Sequence, residues 1–596
     1  MPGRPRTLLV FSTPIKSDSF FGYLLPPLGL ERIAANIADI ADVCIMDLRF
    51  EKDNWLERAV EFNPDFIGIN VKTTLYSTTS YHTADRLRAA IPHAMVVLGG
   101  LHASSVPEEA IEHGHAVIVG DGEIPFREIV EGKDHASIAG IVFKPKHGKL
   151  VKNPPVRPGI ELDKLPPPAR HLRNPRYKYS ASGLIPMDLL ETSRGCDLFC
   201  PFCSPAEIHK GKWRAHSPEY VLAEVKRIHA LGAKYVMLTD DNFAVDLDRA
   251  KAISELIIES KLKMAFFCFL RPFVGRMDVK QAMVNAGFVM LSYGAESPNA
   301  EQLKRFGKGF SDPENFIKTV NDEWRAAGAR YIGNSFVFGD PCEAGTDIQN
   351  LGDYARYLDP TYIEPLYSQP YPGTRYRSDI DKKGLLMPHN WDRFTEGRMI
   401  SRHPQLSENE LRNARADLWT NFFSPRKIVG AFRVPLYLHH VVGIPARTIL
   451  KYMKSCDYCM FGCVLEDKFY FHLRRKMVRK YLSELINNFS EFERDMTSLV
   501  DEFTDMAGIG PLKSFIGTRS ISLEIVEKAK SLTRFRVDFE NGKIAKVMAG
   551  SDQKKGDIEI SMRLEDAVEL VCAKDFAKFA ALARTALYNV FLMVKI

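Results

Sequence analysis

The chain has 596 residues, 45% hydrophobic and 26% charged, an ordinary globular composition; at ~100–200 residues per domain it is long enough for three or four units. A net charge of +6 is too dilute over this length to argue for nucleic acid. Ten cysteines in so long a chain are not a disulfide framework, and their clustering reads as metal binding in a reducing, cytoplasmic compartment.

The start, Met1 to Val10, carries two arginines but runs straight into a short strand and lacks the apolar core of a signal peptide. Residues 1–155 alternate short apolar runs, at 7–12, 42–47, 66–71, 95–100 and 116–120, with helical patterns such as 28–40 and 80–91. That alternation predicts an α/β domain with a parallel sheet between two helical layers. Ligands of such sheets sit beyond the carboxyl ends of the strands, where loops 12–20, 72–79, 99–104 and 120–123 are polar or glycine-rich. The pair Gly99-Gly100 would let a bulky planar ligand approach the backbone closely.

Pro26-Pro27-Leu28-Gly29-Leu30, Leu98-Gly99-Gly100-Leu101-His102 and Gly120-Asp121-Gly122-Glu123, in that order and spacing, resemble the Rossmann-like cobalamin-binding domain. The resemblance implies cobalamin as a cofactor, with Gly99, Gly100, His102, Gly120 and Glu123 at its site. Relatives that hold cobalt through a histidine carry Asp-x-His-x-x-Gly after the first strand. This chain has Ser12-Thr-Pro-Ile-Lys-Ser-Asp18 there, so no histidine from that loop is expected below the cobalt, and His102 is read as lining the site rather than ligating the metal. A domain that keeps the fold and binds nothing is the other reading.

Residues 156–400, entered through Pro166-Pro-Pro-Ala-Arg170, again read as strand–helix repeats, with strands at 187–192, 234–238, 265–270, 288–293, 331–338 and 362–368. Polar residues collect at the strand ends, where parallel barrels keep their active sites: Thr239-Asp240-Asp241-Asn242, Arg271, Gly294-Ala295-Glu296-Ser297 and Gly339-Asp340-Pro341. The first strand delivers Glu191-Thr-Ser-Arg-Gly-Cys196-Asp-Leu-Phe-Cys200-Pro-Phe-Cys203, a C-x3-C-x2-C run. A cubane iron–sulfur cluster has four irons, each normally held by one thiolate, so three close cysteines leave one iron open to a non-protein ligand. A zinc site completed by His209 and plain buried thiols are the alternatives.

This spacing resembles the radical S-adenosylmethionine (radical SAM) family, whose fold is a partial (βα)6 barrel. The resemblance implies a [4Fe-4S] cluster on Cys196, Cys200 and Cys203, with SAM chelated to the open iron and cleaved to a 5′-deoxyadenosyl radical. It also implies that Thr239, Asp240 and Asp241 face the SAM amino group, that Glu296 and Ser297 lie near its ribose and carboxylate, and that Asn334 starts the segment that packs on adenine. Phe202 shields the cluster or stacks near adenine, or simply packs in the core. Helix capping is the competing role for Asp240 and Asp241. Cys268 and Cys342 stand alone and read as small buried hydrophobes. No side chain is assigned as catalytic.

Residues 401–490 form a charged, helical accessory region. Cys456, Cys459 and Cys463 either hold a second iron–sulfur cluster or form the apolar stripe of a helix. The longest apolar run, 428–450, is broken by Arg433, His439, His440 and Arg447 and falls short of a membrane span. Segment 426–438 and the basic run Arg474-Arg-Lys476 either lie against a membrane surface or face solvent. Residues 491–596 change to an α+β pattern, with a hairpin from 533–539 and 544–549 turning at Glu540-Asn-Gly542, a strand at 557–562, and apolar helices at 564–571 and 576–586. They weakly resemble a sterol-carrier-type lipid-binding domain; a dimerisation or structural domain is the rival.

The order of domains resembles the family that includes hopanoid methylases and the anaerobic magnesium-protoporphyrin monomethyl ester cyclase. It implies an anaerobic α/β multidomain enzyme in which a first SAM methylates cobalamin and a second gives the radical, so that an unactivated carbon of a small hydrophobic lipid or tetrapyrrole is methylated. A reducing donor such as ferredoxin or flavodoxin is the implied partner. A cyclase without methyl transfer, and a non-catalytic lipid or cobalamin carrier, are the alternatives.

Overall fold

The computed structural model describes residues 3–422 apart from 14–22 and a few gaps of two to four residues, isolated positions between 438 and 448, and strands between 520 and 563. It divides into two compact units, Met1–Arg415 and Ala416–Ile596. The second cysteine run, the basic run at 474–476, most of segment 426–438 and the helices expected beyond residue 563 lie outside the described residues.

The first unit begins with a seven-stranded sheet of β1 (Arg6–Phe11), β2 (Asp42–Asp47), β3 (Phe66–Asn70), β4 (Met95–Gly99), β5 (Ala116–Ile118), β6 (Ile141–Phe143) and β7 (Val151–Lys152), in the order β2-β1-β3-β4-β5-β6-β7. Alternate residues of each strand feed opposite cores. Leu8, Val10, Ile67, Ile69, Val96 and Leu98 face one layer, whereas Leu9, Phe11, Ile45, Val97 and Ile118 face the other. Helices α1 (Leu28–Ile37), α2 (Trp55–Phe62), α3 (Ser77–Ala90), α4 (Leu101–Ser105) and α5 (Glu123–Val130) supply the crossovers. The sheet is not wholly parallel as the alternation predicts: β6 and β7 pair antiparallel at its edge. β5 pairs antiparallel with β6 although α5 lies between them, and β6 joins β7 with no helix between, too short a connection for a parallel crossover.

Strands β8 (Ile185–Leu190), β9 (Ser193–Arg194), β10 (Arg214–Ala215), β11 (Tyr235–Leu238), β12 (Ala265–Phe269), β13 (Phe288–Glu296), β14 (Tyr331–Phe338) and β15 (Tyr362–Tyr367) follow. Six of them form a parallel array in the order β15-β14-β13-β12-β11-β8, the partial barrel, and β9 pairs with β10 as a separate ribbon. Helices α6 (Pro218–Ala230), α7 (Leu247–Glu259), α8 (Met277–Ala286), α9 (Pro313–Ala326) and α10 (Gly345–Leu358) return the chain between strands. Their starts are written in the sequence. Ser217 caps α6 through the Tyr220 N–H, ahead of a proline at the first helical turn, and Asp246 caps α7 through the Arg249 N–H.

The barrel does not stop at the edge that residues 156–400 would give it. Ser180–Ala181 continues the sheet beyond β8, and Tyr23–Leu24, from the N-terminal region, pairs with it. Tyr23 meets Tyr235 of β11 with the two hydroxyls 3.0 Å apart, so the two halves of this unit share a sheet.

The second unit contains β16 (Ser520–Glu527), β17 (Lys530–Glu540), β18 (Lys543–Ala549) and β19 (Ile558–Arg563), in the order β18-β17-β16-β19. The expected hairpin is β17–β18. Strand β16 is additional, and it receives β19 in parallel. Among the described residues no helix is long and apolar enough to cross a membrane.

Candidate active site

Strand β8 ends at Leu190 and the chain turns sharply into the cysteine loop. Asp240, just past β11, fixes that turn. Its buried carboxylate accepts from the Thr192 N–H at 2.8 Å, from the Thr192 hydroxyl and from the Ser193 hydroxyl at 2.6 Å. Arg249 of α7 donates to the Thr192 carbonyl at 2.7 Å. From the sequence, Asp240 is expected to face the SAM amino group or to cap a helix; in the structure its oxygens are taken up by Thr192 and Ser193 in shaping the loop. Asp241 and Thr239 lie exposed at the same strand end. Asp241 lies near the Gly195 N–H, and desolvation by the surrounding protein together with the Asp240 charge raises its carboxyl. It is the acidic group at this strand end that faces the thiols.

Cys196, Cys200 and Cys203 are all free thiols, and Cys200 is buried. Burial raises all three, Cys203 to about 12, with Asp241, Cys200 and Cys196 adding to its shift. The thiols thus gather around one space. Among the described residues no three His, Cys, Asp or Glu side chains converge on a single ion. His209 lies against Gly195 and the Asp121–Arg194 group rather than among the thiols.

The loop is clamped from the far side of the barrel by Arg375, which donates to the Phe199 carbonyl at 2.6 Å and pairs with Glu207 at 2.8 Å. Phe202 packs edge-on against buried Phe306, with centroids 5.1 Å apart. At the end of β13 the register slips, and Glu296 adopts φ 59°, a left-handed conformation rare for a side-chain-bearing residue. This irregularity turns its buried carboxylate onto Lys308. The Lys308 charge opposes the burial that raises the Cys200 thiol, and Cys200 and Cys203 in turn favour its charged form. Ser297 is buried in the following turn, where its hydroxyl accepts from the Asn299 N–H at 3.1 Å.

Asn334 does not meet the expected ligand face. It is fully buried, and its side-chain oxygen accepts from Asn321 of α9 at 2.9 Å. With two-residue alternation along β14, a side chain committed to the helical layer leaves its neighbours Gly333 and Ser335 on the opposite face.

Beyond the carboxyl ends of β3 and β4 lies a cavity of about 230 Å³. Gly99, Gly100, Gly120 and Glu123 line it, together with Gly29, Gly68 and Gly122 and the apolar Leu30, Ile33, Val97 and Ile118. Six glycines expose backbone to the space. Gly100 is required there: at φ 104°, an added Cβ would lie 2.5 Å from Asn70 Oδ1 and 2.8 Å from the Val71 carbonyl oxygen. His102 does not line this cavity. It is buried with Nδ1 3.1 Å from Thr74 Oγ1 and Nε2 3.4 Å from Glu109, because helix α4 turns it back into the domain. Trp391 also donates to Glu109 at 3.0 Å.

Two further lining residues are Glu191 and Arg194, from the turn that leads into Cys196. Sequence reasoning did not single out these two, Lys308 or Arg214. Arg194 and Glu191 stand inside the quoted cysteine motif, and their charge was the available signal. Lys308 carried none.

A model of the B12 binding domain matches residues 20–130, and one of the Radical SAM superfamily matches residues 190–333. An uncharacterised methyltransferase of Pyrococcus horikoshii is 30% identical over 68% of this chain and 89% of its own length. The bacteriochlorophyllide d C-8(2)-methyltransferase of Chlorobaculum tepidum is 24% identical over 64% of this chain and 84% of its own. The radical SAM methyltransferase TsrM of Kitasatospora setae, solved with cobalamin and a [4Fe-4S] cluster bound, superposes with a TM-score of 0.59 at 17% identity, covering 76% of this chain and all of that one.

Proposed function

The chain belongs to the cobalamin-dependent radical SAM methyltransferase family, and from that premise we propose that it methylates an unactivated carbon of a hydrophobic lipid or tetrapyrrole. The observation that carries the reading is the shared wall: Glu191 and Arg194, on the turn into Cys196, line the glycine-rich cavity. A methyl-carrier site and a radical-generating site placed this way can serve one substrate carbon without either product diffusing away. The acceptor class is supported by the bacteriochlorophyllide methyltransferase among the relatives.

When bound, the cluster would supply the electron that splits SAM, and cobalamin would carry the methyl group. The chain's own residues do the rest. Cys196, Cys200 and Cys203 would hold the cluster, and Asp240 keeps their loop folded back against β11. The Glu296–Lys308 pair matches the zwitterionic end of SAM, an ammonium beside a carboxylate, so binding would exchange one ion pair for two. Asp241, beside the thiols, is the further carboxylate available to the ammonium. Gly99, Gly100 and Gly120 leave backbone open to the corrinoid.

The test is an anaerobic assay of protein reconstituted with iron, sulfide and cobalamin, supplied with SAM and a strong reductant, with candidate tetrapyrroles and lipids as acceptors. 5′-Deoxyadenosine and S-adenosylhomocysteine are quantified together. Both products, with methylated acceptor, are expected from wild type, and Cys200→Ala should lose the 5′-deoxyadenosine. 5′-Deoxyadenosine without S-adenosylhomocysteine would replace methyl transfer with cyclisation or another radical reaction.

A further inference from the structure

Resting on that functional reading, we propose that Arg194 is a positioning residue that couples the two cofactor sites, so that a corrinoid in the glycine-lined cavity and a cluster on the Cys196 loop bind with positive cooperativity.

Arg194 is only 10% exposed, and its guanidinium is shared among three carboxylates. Nε pairs with Glu191 at 3.0 Å, one terminal nitrogen with Asp121 at 3.3 Å, and the other with Glu123. Asp121 and Glu123 lie on the Gly120–Glu123 segment that walls the cavity. Arg214 reaches the second oxygen of Asp121 at 2.7 Å. Arg194 and Arg214 are register partners on the β9–β10 ribbon, two like charges side by side, an arrangement that is unfavourable alone. The acidic segment of the cobalamin-domain fold neutralises them. Arg32 of α1 closes the group from the other side, 3.1 Å from Glu191.

Three arginines thus face three carboxylates. Burial alone would raise Glu191, but Arg194 and Arg32 hold its carboxyl well below the usual range; Asp121 is lowered against its own burial by Arg194 and Arg214. The charges therefore persist across the neutral pH range, and with the exposure so small they are little screened by solvent.

The mechanical half of the argument is the short tether. One residue, Gly195, separates Arg194 from Cys196. It lies at φ 80°, and an added Cβ would be 2.2 Å from the Lys212 carbonyl oxygen. That close approach holds the segment against the ribbon. A displacement of Asp121 and Glu123 reaches Cys196 through a single close-packed residue. A ligand that orders the cavity wall orders the first thiol, and by linkage the reverse holds.

The experiment measures the dissociation constant of hydroxocobalamin for the full chain, anaerobically, by equilibrium dialysis with absorbance. Cluster-free and cluster-reconstituted forms are compared in wild type, Arg194→Gln and Arg194→Lys. Wild type is expected to bind cobalamin at least about fivefold tighter with the cluster present, within the usual range of coupling between sites. In Arg194→Gln that ratio should fall to near one, whatever the change in the cluster-free constant, because Arg194 also lines the cavity. Arg194→Lys keeps the charge but not the three-way fork, and should fall between, which keeps the test open should the glutamine variant not fold. A merely structural arginine would weaken binding equally in both forms and leave the ratio intact, overturning the inference. Equal constants in the two wild-type forms would also overturn it while leaving the cobalamin reading in place. No binding in either form would overturn both.

Discussion

Lys308 and Glu296, twelve positions apart in sequence, form an ion pair beside the cysteine loop, with Glu296 4% exposed and the Lys308 side chain 17% exposed. A carboxylate held so far from water needs its counter-charge. Removing one partner of such a pair costs more than replacing both, because the survivor stays buried and uncompensated. Lys308→Met is therefore expected to destabilise the fold by about 2–3 kcal/mol, less than the full ~3–5 kcal/mol of a wholly buried pair because water reaches the lysine. Lys308→Met combined with Glu296→Gln should recover most of that loss. Urea titrations, read as midpoint shifts at constant slope, check both. A double variant as unstable as the single would refute the pairing as the cause.

Asp240 gives a prediction about the cluster rather than the global fold. Its oxygens accept from one N–H and two hydroxyls, and Asn offers only one accepting oxygen. Asp240→Asn can keep its oxygen on the Thr192 N–H, but its amide N–H groups then face the two hydroxyls, which must turn from donating to accepting and lose bonds to a charged group worth ~1.5–3 kcal/mol each. The strain falls on Thr192 and Ser193, which lead into Cys196. Expected is a clear fall in iron and sulfide retained per chain after reconstitution, with hydroxocobalamin binding to the cluster-free form unchanged. Full cluster content in the variant would show that the turn does not need this carboxylate.

How much of this was legible beforehand depended on whether a signal is local. The cysteine spacing, the six barrel strands and the glycine-rich strand ends are local, and the structure places them close to where periodicity put them. Side-chain direction is not local. Asn334 and Asp240 sit on the right strands, yet one faces α9 and the other its own loop, because period-two alternation gives two faces without saying which is the ligand's. His102 fails for a related reason: a glycine pair before it sets the path of α4, and the helix turns the ring inward. The Tyr23–Leu24 strand was invisible because two residues carry no period at all. The Arg194 fork needs three segments brought together by the fold, which no spacing rule encodes.

Glu343, near the end of β14, is expected to give the fold an unusual pH dependence. Burial pushes its carboxyl up to about 7 from an ordinary 4.5, against the lowering effect of the Asp340 N–H that it accepts. The folded chain then holds a proton that the unfolded chain releases between those values. Stability contributed by this group is present below about 4.5 and is lost as pH rises toward 7, the opposite slope to an ion-paired carboxylate. The full excursion is of the order of 3 kcal/mol at ~1.4 kcal/mol per unit. Other carboxylates titrate in the same window, so the quantity to measure is the difference between wild type and Glu343→Gln. The stabilisation by Glu343→Gln should grow from pH 5 to pH 7 and level off above it. A difference independent of pH would show that Glu343 ionises normally.

Gly195→Ala tests the clamp at the first thiol, and Gly232→Ala supplies its control. Both glycines have left-handed backbone, at φ 80° and 87°, so both substitutions carry the same conformational cost, ~1–2 kcal/mol for a side chain in that region. They differ in surroundings. A Cβ at 195 would lie 2.2 Å from the Lys212 carbonyl oxygen, whereas at 232 nothing lies within 4 Å. The first clash is with backbone and cannot be relieved by a rotamer change, so β9 and β10 must part and Cys196 must move with them. Gly232→Ala should lose about 1–2 kcal/mol of stability and load a full cluster. Gly195→Ala should lose most of its iron and sulfide even at a temperature where circular dichroism shows the chain fully folded. If both variants load the cluster equally, the close approach at Gly195 does not position Cys196, and the short tether to Arg194 loses its mechanical basis.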